Sequence, residues 1–213
     1  DDYNRSVKLK NFPRWDYVIL TASNDQQAEE FRRQIEERKE YLPAGTRFAA
    51  IPDRGGERVG SGGATLEVLK YLHEQEGDFQ KLRVLVIHSG GDSKRVPQYS
   101  ALGKLFSPVP HQLPDGRSST LFDEFMICMS SVPSRIREGM VLLSGDVYVN
   151  GEDGNVKCCL QKKSEEELRK AGAVNEADCV DIDTGALIFS TAMMDSLYSL
   201  IGTEEGYDRY VNG

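Results

Sequence analysis

Two glycines, an arginine and a lysine at short range make the segment His88-Ser89-Gly90-Gly91-Asp92-Ser93-Lys94-Arg95-Val96-Pro97, running on to Ala101-Leu102-Gly103-Lys104, the part of this chain best suited to chemistry. Glycine lets backbone N–H groups approach a ligand closely, and arginine and lysine add fixed positive charge. Those are the requirements of a site for a nucleoside triphosphate. The planar fork of Arg95 suits the departing β- and γ-phosphates, and Lys104 suits charge that develops on the α-phosphate. Asp92 is the unexpected member, an anion within a phosphate loop.

Four further polar stretches carry weaker signals. Gly60-Ser61-Gly62-Gly63-Ala64-Thr65 reads either as a cradle for a phosphate or base, through Gly60, Gly62 and Gly63, or as a tight turn into a helix. It is not a Walker A loop, because no Gly-Lys-Ser/Thr follows. Asp146 in Ser144-Gly145-Asp146 follows an apolar run, where a carboxylate can hold Mg²⁺ or cap a turn. Lys162 reads as a ligand for the phosphate of a sugar 1-phosphate or as one of a surface lysine pair. Asp183 and Gly185 read as sugar contacts or as an ordinary turn.

The elements that would carry these loops alternate. Apolar β-rich runs predict strands over 15–22, 46–51, 82–87, 139–143 and 182–189. Helices are predicted over 29–42 behind an Asn24 cap, over 66–73, 120–131 and 191–201, and over 164–171 with a Ser164–Glu167 capping box. Alternation of this kind predicts an α/β fold with a mostly parallel sheet. The loops after Ile51, Ile87 and Leu143 would then meet at the carboxyl edge of that sheet, where such folds bind ligands.

Composition sets limits. The formal net charge of −8 argues against a nucleic-acid partner, because no broad basic surface can neutralise a phosphate backbone. No apolar run reaches the roughly 20 residues that span a bilayer, and no signal peptide is visible, so a cytoplasmic location is expected. Three histidines and the cysteines Cys128, Cys158, Cys159 and Cys179 provide no zinc-type spacing. The chain starts Asp1-Asp2 and ends Val211-Asn212-Gly213, and is expected to be part of something longer.

The motifs, taken in order, resemble the L-fucose-1-phosphate guanylyltransferase family, including the bifunctional fucokinase/fucose-1-phosphate guanylyltransferases. That resemblance implies a Rossmann-like fold of the nucleotide-diphospho-sugar transferase type over 1–213, with a segment absent near 147–151. It implies transfer of GMP from GTP to β-L-fucose 1-phosphate with release of pyrophosphate, assisted by Mg²⁺. On the same basis Gly90, Gly91 and Arg95 hold the triphosphate, Lys104 and Asp146 with Mg²⁺ serve the transition state, Lys162 takes the sugar phosphate, and Asp183 and Gly185 lie near the sugar. A sugar kinase, a transferase for another nucleotide and sugar, and a non-enzymatic nucleotide-binding domain are the competing expectations.

Overall fold

The structure is a computed structural model and describes residues 2–54, 59–89, 103–113, 116–143, 147–152, 155–161, 164–174, 181–182 and 186–212. It opens with a short helix α1 (Asp2–Lys8), then β1 (Tyr17–Ala22), α2 (Asp25–Glu37), β2 (Arg47–Pro52), α3 (Gly60–Glu76) and β3 (Arg83–His88). Next come a hairpin of β4 (Pro108–Gln112) and β5 (Ser118–Thr120), then α4 (Leu121–Cys128) and β6 (Gly139–Leu143). β7 (Val147–Glu152), β8 (Asn155–Gln161), α5 (Glu165–Lys170), β9 (Asp181–Ile182) and β10 (Ala186–Phe189) follow. α6 (Thr191–Ser199) and α7 (Glu204–Tyr207) lead to a closing π-turn over Asp208–Asn212.

Five strands form the central sheet in the order β10-β6-β3-β1-β2. β1 pairs in parallel with both β2 and β3. At the start of β6, Gly139 N–H donates to Leu82 C=O at 2.7 Å, next to the start of β3, so β6 runs the same way. Gly139 also lies against the carbonyl of Phe189 at the end of β10, so β10 is an antiparallel edge strand. The expectation of a mostly parallel α/β sheet is borne out. Every residue of β1 and of β6 is buried, the mark of strands covered on both faces. Val18, Leu20, Val84 and Val86 carry much of this core, each buried side chain contributing about 1.5–3 kcal/mol.

The chain separates into two compact units, residues 1–141 with 188–213, and residues 142–187. The second unit contains the antiparallel pair β7–β8, with β9 added to β7, and α5, whose Ser164–Glu167 capping box is present as expected.

Several element boundaries differ from the sequence reading. The single strand expected over 182–189 is two strands in different sheets, β9 and β10, since the polar Asp183-Thr184-Gly185 interrupts the run. β7 and β8, which the sequence reading did not predict, form an antiparallel pair from Val147 onward. Helix 120–131 stops at Cys128 and continues as 3-10 turns through Ser134, where Pro133 cannot donate to an α-helical ladder.

Candidate functional site at the carboxyl end of β1 and β3

β1 and β3 end side by side, with Thr21 in register with His88. Strand order reverses direction at this pair, β2 lying beyond β1 and β6 beyond β3, which makes it the switch point where α/β sheets leave a crevice. Polar side chains at both strand ends tie the edge together. Ser89 Oγ donates to the Thr21 carbonyl at 2.7 Å. The His88 ring lies between two hydroxyls, with Nδ1 3.0 Å from Thr21 Oγ1 and Nε2 3.1 Å from Thr65 Oγ1.

The proton positions follow from donor arithmetic. Thr65 Oγ1 donates its only proton to the Ser61 carbonyl at 2.8 Å, so it can only accept from the ring. His88 therefore carries its proton on Nε2, and Nδ1 accepts from Thr21 Oγ1, an assignment made from the hydrogen-bond pattern. Burial pushes the His88 pKa down to about 4, so the ring is neutral at pH 7.

Thr65 belongs to α3, which begins at Gly60. The glycine run expected to be a loop before a helix at 66–73 is thus the first turn of a longer helix. Glycine is a poor helix former, at a cost of about 1 kcal/mol each. Here the Thr65–Ser61 and Thr65–His88 bonds hold the turn against that cost. Gly60 has φ +70°, and at Gly60 and Gly62 a Cβ would meet no atom within 4 Å. Gly63 is different, because its Cβ would lie 2.7 Å from Val59 Cβ, so packing requires it. α2, α4, α5, α6 and α7 are capped by Asn24, Thr120, Ser164, Ser190 and Thr203. At α3 the cap position is Val59, which has no side-chain acceptor, so the first N–H groups of α3 receive no side-chain cap.

Lys104 stands exposed on a buttressed 3-10 turn, Lys104–Phe106. Leu105 beside it is buried. Phe106 packs between Phe31 of α2 and Phe122 of α4, with ring centroids 5.5 and 5.0 Å away. The Arg38 guanidinium covers the same ring at 5.0 Å and lies 3.6 Å from the buried Asp123 carboxylate. Gly103, with φ +73°, approaches Gln27, where a Cβ would sit 3.1 Å from Nε2. Gln27 in turn accepts from the backbone of Ser23, just after β1, at 2.9 Å. The end of β1 is therefore bonded to α3 through the His88 ring, and Gln27, which accepts from Ser23, packs close to Gly103 before the Lys104 turn.

Of the residues expected to form the site, Gly60, Gly62, Gly63 and Lys104 are placed in this way. Gly90, Gly91 and Arg95 follow β3, Asp146 follows β6, Lys162 follows β8, and Asp183 and Gly185 lie between β9 and β10. All seven lie outside the described residues. Among the described residues no group of three or more His, Cys, Asp or Glu side chains could hold a metal ion. Sequence reasoning assigned no role to Thr21, Gln27 or His88. The available signal was a polar side chain closing an apolar strand, as Thr21 closes Val18-Ile19-Leu20 and His88 closes Val84-Leu85-Val86-Ile87.

Mostly parallel α/β sheets often bind phosphate-bearing ligands at a glycine-rich helix start beside the switch point. Comparison with known proteins specifies the relationship. Residues 77–150 match the family model described as the fucose pyrophosphorylase domain, a span that includes Gly90, Gly91, Arg95, Lys104 and Asp146. The chain is 38% identical over 136 residues to the fucose-1-phosphate guanylyltransferase of Mus musculus, covering 62% of this chain and 22% of that protein. It is 32% identical over 163 residues to the bifunctional fucokinase/GDP-fucose pyrophosphorylase of Arabidopsis thaliana, covering 63% and 16%. To the fucose-1-phosphate guanylyltransferase of Homo sapiens it is 38% identical over 99 residues, covering 45% and 16%. Over these stretches the chain is similar to fucose-1-phosphate guanylyltransferases, as its motifs led us to expect, and it spans between about a sixth and a fifth of the length of the curated relatives it matches. No solved structure gives a significant match.

Proposed function

We propose that this chain carries the nucleotidyl-transfer site of a cytoplasmic fucose-1-phosphate guanylyltransferase, which converts GTP and β-L-fucose 1-phosphate to GDP-L-fucose and pyrophosphate. The observation that carries this reading is the family match over residues 77–150, which spans the Gly90–Lys104 loop and Asp146. The open N-terminal turn of α3 supports it, as does the rigid seat of Lys104. No described helix is long and apolar enough to cross a membrane.

The residues act by position and charge, which is most of what phosphoryl-type transfer asks of a protein. Gly90, Gly91 and the first turn of α3 offer backbone N–H groups to phosphate oxygens, and Arg95 takes the departing pyrophosphate. Lys104, held by Leu105 and Phe106, offers its ammonium to charge growing on the α-phosphate as the sugar phosphate oxygen attacks in line. Lys162 takes the sugar phosphate, and Asp183 and Gly185 lie near the sugar. A carboxylate oxygen suits a hard cation, so Asp146 is the residue that would hold Mg²⁺. When bound, such an ion neutralises phosphate charge.

Pyrophosphate release with Mg²⁺ tests the reading, with GTP, ATP, UTP and dTTP each offered with fucose, mannose or glucose 1-phosphate. Release confined to GTP with fucose 1-phosphate is expected. Release with a different pair replaces the substrates and keeps the reaction. No release with any pair, with nucleoside diphosphate formed from free fucose instead, overturns it in favour of a kinase.

A further inference from the structure

The hydrogen-bonded ring of His88 has no part in the transfer chemistry assigned to Arg95, Lys104 and Asp146. It is nonetheless the group that joins three pieces of the candidate site. Nδ1 accepts from Thr21 at the end of β1, and Nε2–H donates to Thr65 in the second turn of α3. Ser89, the next residue, returns to the Thr21 carbonyl. Thr65 passes the connection on to the Ser61 carbonyl, within the glycine turn itself. This bridge needs one side chain that accepts at one end and donates at the other. Lysine and arginine only donate, carboxylates only accept, and a serine hydroxyl lacks the reach, whereas a neutral imidazole meets the requirement.

We propose that His88 is a positioning residue for the nucleotide, clamping the first turn of α3, which has no side-chain cap among the described residues, to the carboxyl ends of β1 and β3 so that its N–H groups meet the triphosphate in one fixed orientation. The proposal rests on the nucleotidyl-transfer reading above. A neutral ring is required, since an imidazolium would present a proton to Thr21 Oγ1 and force that hydroxyl to turn. Among the described residues the groups facing the ring are the uncharged hydroxyls of Thr21 and Thr65, and burial is what holds the ring neutral. The Nε2 position can also be reached by a glutamine amide, which is therefore the conservative replacement.

The test is steady-state kinetics on the full chain and its variants His88→Gln, His88→Leu and Thr65→Val, with circular dichroism to confirm folding. His88→Leu and Thr65→Val are each expected to raise KM for the nucleoside triphosphate at least about tenfold, with kcat at saturation within about threefold, as loss of ground-state binding requires. His88→Gln is expected to stay within about threefold of wild-type KM by keeping the donor to Thr65. Unchanged KM in His88→Leu overturns the proposal. So does His88→Gln behaving as His88→Leu, or a fall in stability and kcat with KM constant, which marks a purely structural role. If the leucine variant does not fold, ¹⁵N NMR of the wild-type ring decides. A protonated Nε2 and bare Nδ1 at pH 7 support the clamp, and the Nδ1–H tautomer or an imidazolium sinks it. A wild-type protein inactive with every substrate pair refutes the functional reading instead, and the clamp is then judged by the same NMR outcomes.

Discussion

Replacing Gly103 by alanine should damage both stability and turnover, and the structure allows both effects to be sized. Gly103 has φ +73° and ψ 150°, a region that residues with a side chain avoid at a cost of about 1–3 kcal/mol. Its new Cβ would lie 3.1 Å from Gln27 Nε2 and 3.1 Å from Phe31 Cζ. Neither neighbour yields easily, because Gln27 is bonded to Ser23 and Phe31 is fully buried against Phe106. Overpacking of this kind adds about 1–3 kcal/mol, for a total of about 2–6. The strain is relieved most simply by displacing the chain at Lys104, and a misplacement near 1 Å costs about a hundredfold in rate. Gly77→Ala is the matched control. Gly77 has φ +82° at the end of α3, and its Cβ would meet nothing within 4 Å, so it pays backbone strain alone, about 1–2 kcal/mol. Urea denaturation and pyrophosphate-release rates measured on both variants separate the two contributions. Equal activity of Gly103→Ala and Gly77→Ala would refute the view that the Gly103 contact seats Lys104.

Lys104→Ala should leave the urea midpoint unchanged, since the side chain is exposed, while lowering kcat by about a hundredfold or more, the loss expected of a transition-state charge. Acid should weaken the fold through His88. Its folded pKa of about 4 lies below the unfolded value of 6.5, so the unfolded chain binds the proton first as pH falls. Stability is then lost between about pH 6.5 and 4, by at most about 3 kcal/mol, and denaturation curves of His88→Gln should lack that loss. Asp123→Ala removes the acceptor of Thr120 N–H and Thr120 Oγ1 and strips Arg38 of its buried partner, so denaturation should show a loss of about 3–5 kcal/mol. Gly139→Ala would bring a Cβ to 2.5 Å from the Phe189 carbonyl, and thermal unfolding should show destabilisation above about 3 kcal/mol unless β10 leaves the sheet edge.

The parallel strands were legible because burial on both faces leaves uninterrupted apolar runs, as in Val18-Ile19-Leu20 and Val84-Leu85-Val86-Ile87. The caps at Asn24 and Ser164 were legible because they are local, set by residues three positions apart. The hairpin β4–β5 was not, because Pro108 and Pro110 argue against a strand and its residues are mostly exposed. The pair β7–β8 did leave a signal in the sequence, the β-prone Val147-Tyr148-Val149 followed by Asp153-Gly154, a dipeptide common between paired strands. The start of α3 was missed because its first turn is three glycines and a serine, and one of the two Thr65 bonds that support it reaches His88, 23 residues away. At the site, Lys104 was legible as a motif residue. Its seat was not, since Phe31, Phe106 and Phe122 are brought together only by folding.

The uncapped start of α3 has a thermodynamic consequence. At α2, α4, α5, α6 and α7 a cap side chain accepts from a first-turn N–H, so that bond forms whatever is dissolved around it. At Gly60–Gly63 no side-chain cap is present among the described residues, and any anion that docks there adds its binding free energy to the closed form of the turn alone. Occupancy and local order are then one quantity measured in two ways. Amide hydrogen exchange at these few residues reads that quantity directly, fast without ligand and slowed by it, before any bond in the substrate has been broken.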